Sequence, residues 1–276
     1  MILDVRTMYI AMGATCFIVA AGLLALQARR PWRDGALQWT LGWAVQGVFW
    51  LLLGLRGIIW NFVSIVVATT FLAASFSLLY AAVREFQGRA YNRSILFFPP
   101  AATFVFFWYF SADVDRISYR VIFFSFLTIL QISTIVWALF RDTSLRERRS
   151  ARLTGFAFII FGVIYLIRLL EGLTLPFEYL SVLQVTATRN VNLMVALGVV
   201  MLSSIGFVLM MRDRAEERLQ ESEQRWATTL ASIGDAVIAT DEDGRITFMN
   251  AVAEELTGWT LSEAVAGHVT KVFNIV

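Results

Sequence analysis

Seven long stretches of this chain contain no Asp, Glu, Lys or Arg, and arginines crowd the short connections between them. They are residues 7–28, 35–55, 57–83, 94–112, 121–140, 153–167 and 190–211. A helix that crosses the hydrocarbon core of a bilayer needs about 20 mostly apolar residues. The third stretch is long enough for a turn plus a helix, and the sixth is short unless Arg168 is tolerated near its end. Over the 276 residues, 58% are hydrophobic and 16% charged, against roughly 45–50% and about 25% in a soluble domain. Because the excess is gathered into blocks, the pattern is that of a membrane bundle and not of an enlarged soluble core. The expected fold is a seven-helix, all-α transmembrane bundle over residues 1–211.

Arginine sets the orientation. One set of connections holds Arg29, Arg30 and Arg33, then Arg84, Arg89 and Arg93, then Arg141, Arg146, Arg148, Arg149 and Arg152, then Arg212 and Arg214. The alternate set holds Arg6, Arg56, Arg116 and Arg189, with Arg120 and Arg168 near block ends. Basic residues accumulate on the cytoplasmic side. The N-terminus is therefore expected outside and the C-terminus in the cytoplasm, which an odd number of spans satisfies. The residues before Met8 lack the basic region of a cleavable signal peptide, so the first block is read as a retained span.

Several function classes are excluded by residue counts. Lys271 is the only lysine, so the bundle offers no amine for a retinal Schiff base. His268 and Cys16 are each the only residue of their type, which leaves no imidazole pair for haem or copper and no structural zinc set in a monomer. No paired catalytic carboxylates, nucleophile with base, or glycine-rich phosphate loop occurs. The chain is read as non-enzymatic and without an assigned cofactor or metal. A formal charge of +2 with no compact basic face argues against nucleic acid as a partner.

Polar residues at membrane depth are costly and therefore informative. Gln46 and Gln131 fall near the middle of the second and fifth blocks. Arg168 and Glu171 lie three apart near the outer end of the sixth helix, and Arg189, Asn190 and Asn192 open the seventh. Two readings stand. Arg168, Glu171, Arg189 and Asn190 line a small polar ligand pocket near the outer surface, or Arg168 and Glu171 simply pair while the others anchor the interface and bond between helices. Trp32, Trp60 and Trp108 sit near span ends as interfacial anchors would. Trp39, Trp43 and Trp50 share one helix face and suit packing or lipid contact.

After Met211 the composition turns abruptly to charged helix formers. Residues 212–233 should continue the last span as a cytoplasmic signalling helix, since no Gly or Pro interrupts it. Leu219, Glu223, Trp226, Leu230 and Ile233 recur at steps of four and three, the spacing of a coiled-coil seam. The expected partner is a second copy in a parallel dimer; a solvated connecting helix is the alternative.

Residues 234–276 are soluble in character. Asp235–Asp241 has strand composition, Asp243-Gly244 is turn chemistry, and Arg245–Asn250 alternates as a second strand, together a hairpin. Asn250 can cap a following helix that Gly258 ends. Thr260 and Glu263 have capping-box spacing, opening a further short helix that Gly267 can close, with His268 on its surface. This order, with D-A-V-I-A-T-D, the D-G turn, G-R-I-T-F-M-N, A-E-x-L-T-G-W and E-A-x-G, resembles the first half of a PAS domain. The resemblance implies an α+β module, an antiparallel sheet with short helices on one face, of which this stretch supplies two strands.

The membrane part is similar, more loosely, to the seven-span sensory regions that precede PAS, GGDEF and EAL domains in bacterial cyclic-di-GMP enzymes. Leu-Asp-Val-Arg-Thr at the start and the Ala36–Ala44 stretch carry that likeness. It implies a multi-pass protein of the bacterial inner membrane that senses a membrane or periplasmic cue. The signal would reach a downstream domain or protein, a cyclic-di-GMP enzyme first and a histidine kinase second. A regulatory subunit of a transporter or channel is the rival, and a nonfunctional fragment of a signalling enzyme the third reading.

Overall fold

The structure is a computed structural model, and it describes residues 4–27, 34–110, 117–141, 148–174, 187–232 and 234–272. The chain divides into two units, Met1–Arg212 and Asp213–Val276. The first contains α1 (Val5–Gln27), α2 (Ala36–Gly54), a π-helical turn (Val63–Val67) that runs into α3 (Ala68–Phe86), α4 (Arg93–Phe110), α5 (Ile117–Arg141) and α6 (Arg148–Thr174). It also holds the start of α7 (Ala187–Ser232), a 46-residue helix that continues through the change of composition after Met211. Ile233 lies just outside the described residues.

Consecutive helices pack side by side, α1 on α2, α2 on α3 and α5 on α6, with α3 also against α4 and α5. Close approach of α2 and α3 uses Gly42, where a Cβ would press on the Leu79 side chain at 2.9 Å. Small residues at helix contacts are what apolar solvent favours, since packing replaces the hydrophobic drive there. The three tryptophans sharing one face of α2 are all buried. Trp39 stacks on Phe207 of α7 with ring centroids 4.1 Å apart and planes 3° from parallel. Trp60 and Trp108, near helix ends, are exposed.

The glutamines buried in α2 and α5 make interhelix bonds. Gln131 Nε2 donates to the Ala73 carbonyl at 2.8 Å and to Ser77 Oγ at 3.1 Å, tying α5 to α3. Ser75 Oγ lies 3.3 Å from Gln46 Oε1, linking α3 to α2.

Among the described residues, six helices are long and apolar enough to cross a membrane: α1, α2, the π-turn with α3, α5, α6 and α7. The doubtful member of the set differs from the sequence expectation. The short sixth block becomes a 27-residue helix that runs straight through Arg168 and Glu171. It is α4, the fourth block, that falls outside the six, because Arg93, Pro99, Pro100, Trp108 and Tyr109 dilute its 18 residues. Its two prolines remove backbone donors, which frees carbonyls one turn earlier. One of them, Ile95, accepts from Ser77 Oγ at 3.3 Å, the repair that neighbouring hydroxyls provide in apolar surroundings.

Gly35 precedes α2 with φ 73°, and a Cβ there would run into the Ala82 backbone. Substitution therefore meets both left-handed strain and a backbone collision that no rotamer relieves. Gly35→Ala is expected to lower the melting temperature of the detergent-solubilised chain by more than Gly22→Ala, whose Cβ meets nothing within 4 Å. Equal shifts in differential scanning fluorimetry would contradict this.

The second unit continues α7 into a small module: β1 (Ile238–Thr240), β2 (Ile246–Met249), α8 (Ala251–Thr257), α9 (Leu261–Ala264) and α10 (Val269–Val272). The strands pair antiparallel, Ile238 opposite Met249 and Thr240 opposite Ile246, with an irregularity between Ala239 and Thr240. The turn is held by Asp241 Oδ1, which accepts from the Asp243 and Arg245 N–H groups, and by Gly244 at φ 74°. Ile246, Met249, Ala253 and Ala264 form the core. α9 ends differently from expectation. Val265 is its C-cap and Ala266, not Gly267, takes the left-handed conformation at φ 63°. Residues 266–269 then run along β2: Ala266 N–H donates to Ile246 O at 3.0 Å and Ile246 N–H to Gly267 O at 2.8 Å. His268 is thus bridged to Arg245 and precedes α10, exposed but not on a helix face.

Candidate functional site

Arg56, Arg120 and Arg168 all line one cavity of about 200 Å³ inside the bundle unit. The helices alternate in direction, so the residues that meet there come from alternating ends. Tyr9 is near the start of α1, Arg56 just past α2, and Ser64 in the π-turn. Arg120 lies in the first turn of α5, Arg168 near the end of α6, and Asn192 near the start of α7. Every helix of the bundle contributes to the lining. The π-helical turn is a further mark, since such bulges gather at functional sites. It places Ser64 and Ile65 at the cavity.

The walls are aromatic. Phe124 and Phe161 both meet Tyr165, at 6.2 and 5.3 Å between centroids, and Tyr9 stacks on Trp50 at 5.7 Å. Against these walls stand hydrogen-bond donors. Arg120 is 7% exposed, Trp50 6% and Ser125 1%. Trp50 Nε1 and Ser125 Oγ have no hydrogen-bond partner among the described residues. A buried polar group left unbonded costs about 1–3 kcal/mol. Burial also pushes the Arg56 guanidinium below its usual range, with Tyr9 opposing the shift; an arginine remains charged all the same. Among the described residues that line the cavity, none is a carboxylate.

The four residues singled out from sequence divide. Arg168 lines the cavity, and Glu171 does not; it pairs with Arg168 at 3.6 Å between Nη1 and Oε2. Asn190 is half-buried with Oδ1 unpartnered, while its neighbour Asn192 reaches the cavity. The Arg189 side chain lies outside the described residues. Arg56 and Arg120 were legible as outward-side arginines at block ends. Their convergence on Arg168 was not, because it depends on how separate helices pack.

In the second unit the organising side chain is Asn250. Its Oδ1 accepts from the N–H groups of Val237 and Ala253, both at 2.9 Å. Its Nδ2 donates to the carbonyls of Leu230 at 3.1 Å and Asp235 at 3.0 Å. One buried amide thus joins the last turns of α7, the lead into β1 and the start of α8. The sequence suggested only the cap on α8.

Along α7 itself, Leu219 and Trp226 are 60% and 67% exposed on an otherwise charged helix, and Leu230 is half-buried. The capping pair at α9 is present: Thr260 Oγ1 and N–H both donate to Glu263 Oε2, at 2.7 and 3.1 Å. These bonds hold the exposed Glu263 carboxyl below its usual range, the hydroxyl contributing most. A carboxylate depressed on folding adds stability above its unfolded pKa of about 4.3 and loses it as pH falls through the folded value. Thr260→Val is expected to raise the Glu263 midpoint in a carboxyl carbon NMR titration. An unchanged midpoint would show that the hydroxyl plays no part.

Residues 224–274 match the PAS fold family. The last turns of α7, the hairpin, the Asn250-capped α8, the capped α9 and α10 lie inside that match. The chain is also 44% identical over 59 residues to the probable diguanylate cyclase DgcE of Escherichia coli (strain K12). That alignment takes in 21% of this chain and 5% of the relative, so the chain spans a small part of the relative's length. No solved structure matches the chain. A PAS segment behind several long apolar helices fits a signal-input role.

Proposed function

We propose that the chain is a multi-pass sensor of the bacterial inner membrane. In this reading α4 is the fourth of seven spans, because only then do the arginine-rich connections fall on one side. The bundle meets a membrane or periplasmic cue. A change in its packing reaches the PAS segment through α7, and a downstream signalling domain or protein receives it. A cue can act this way only by binding two arrangements of the bundle unequally.

The observation that carries the reading is the unbroken α7, Ala187–Ser232, which lines the cavity near its start and whose last turns are bonded to Asn250. The exposed Leu219 and Trp226 support a parallel dimer through this helix, an arrangement that would deliver one shift to two PAS segments together. The chemistry of the output belongs to whatever receives the signal, a cyclic-di-GMP enzyme being the first choice.

Topology tests the membrane part. Reporter fusions after Arg33, Arg93 and Arg149 should report the cytoplasm, and fusions after Asn61, Asp115 and Glu178 the outside. An inverted pattern, or one in which Arg93 and Asp115 share a side, would overturn the seven-span reading.

A further inference from the structure

The cavity in the bundle has a chemistry of its own, and it deepens the signal-input reading by naming a class of cue. Its polar lining is rich in donors: three guanidinium groups, the Trp50 indole N–H, the Ser125 hydroxyl and the Asn192 amide. Its other walls are phenyl and aliphatic, including Phe49, Phe107, Phe161 and Leu193. Ligand pockets for drug-sized molecules run to about 300–1,000 Å³, so a cavity of about 200 Å³ takes something smaller.

We propose that this cavity binds a small carboxylate with an apolar or aromatic body. The carboxylate is the acceptor that an arginine fork matches best, with two parallel charge-assisted bonds. It would also satisfy the buried Trp50 and Ser125 donors. The aromatic walls would hold the body, which a bare inorganic anion lacks. Burial disfavours the charged Arg56 guanidinium, and a carboxylate beside it would offset that cost. All the helices of the bundle unit line the cavity, so a ligand seated there touches α7 and its neighbours at once, and any preference for one packing becomes a shift in population.

The test uses the full chain purified in non-ionic detergent, with phenylacetate, benzoate and hexanoate as probes, and thermal shift and calorimetry as readouts. At least one of these carboxylates should raise the melting temperature saturably, while phenylacetamide and inorganic phosphate leave it unchanged. Arg168→Gln should weaken binding about tenfold. Trp50→Phe, which keeps the ring and removes only the N–H donor, should weaken it by a smaller factor. Absence of response to all three carboxylates would overturn the proposal. So would an equal response to phenylacetamide or phosphate, or binding unaffected by both substitutions in folded protein.

The relay reading is scored separately, by disulfide crosslinking at Leu219→Cys with and without the bound carboxylate. A changed yield supports both claims. Binding with an unchanged yield keeps the carboxylate site and contradicts the relay.

Discussion

Asn250→Ala should unfold the hairpin end of the PAS segment while leaving the bundle intact. The substitution removes four hydrogen bonds at a residue that is 3% exposed. Loss of the α8 cap alone costs about 0.5–2 kcal/mol, and the abandoned backbone groups of Val237, Leu230 and Asp235 raise the total to about 2–4 kcal/mol. The module's buried core is only Ile246, Met249, Ala253 and Ala264, and an isolated two-stranded hairpin is marginal in water. That leaves little to absorb such a loss.

Hydrogen exchange of the full chain should show peptides from residues 234–272 exchanging far faster, with those from α2 and α3 unchanged. Asn250→Asp separates the two halves of the role. Its carboxylate still accepts from Val237 and Ala253 but cannot donate to Leu230 and Asp235. It should keep α8 capped and loosen the join to α7, giving an intermediate result. Equal behaviour of Asp and Asn would mean that the bonds to the end of α7 do not matter.

Trp39→Ala carries the largest expected effect within the bundle. Trp39 is fully buried, stacked on Phe207 and edge-on to Phe158 and Trp43. Truncating a buried tryptophan costs about 3–5 kcal/mol in a soluble core. In a bilayer the transfer part shrinks, because lipid is as apolar as the side chain. The lost contacts across α2, α6 and α7 remain. A loss of about 2–4 kcal/mol is expected on that basis. At about 2–4 °C per kcal/mol, the melting temperature in detergent falls by roughly 5–15 °C. Trp60→Ala, at an exposed site, should shift it far less. Similar shifts for the two would show that the α2–α7 stack is not a main support of the bundle.

Much of this architecture was legible because its causes are local. Charge-free blocks mark the long helices, the absence of Gly and Pro after Phe207 marks the continuation of α7, and Asp243-Gly244, Asn250 and Thr260 with Glu263 mark a turn and two caps. What failed was where a local rule met a tertiary choice. Gly267 was a reasonable helix stop by residue type, yet the chain turns at Ala266 because residues 266–269 are held along β2 by Ile246 and Gly244. The sixth block looked short because Arg168 was counted against it. Arg168 instead pairs with Glu171 and reaches the cavity, and the helix continues past it.

The cavity was out of reach for the same reason. Arg56, Arg120 and Arg168 lie far apart in sequence, each at the end of a different block. No motif joins them, and only the packing of alternating helices does. The unpaired Trp50 donor leaves no trace in sequence at all.

Single cysteines along α7 test the central claim, that this helix carries the signal as a parallel dimer. In a Cys16→Ser background, cysteines at Leu219 and Trp226 should crosslink readily in native membranes, and cysteines at Glu217 and Gln220 should not. Equal crosslinking at all four positions, or none at any, would mean that α7 has no defined seam and would contradict the account.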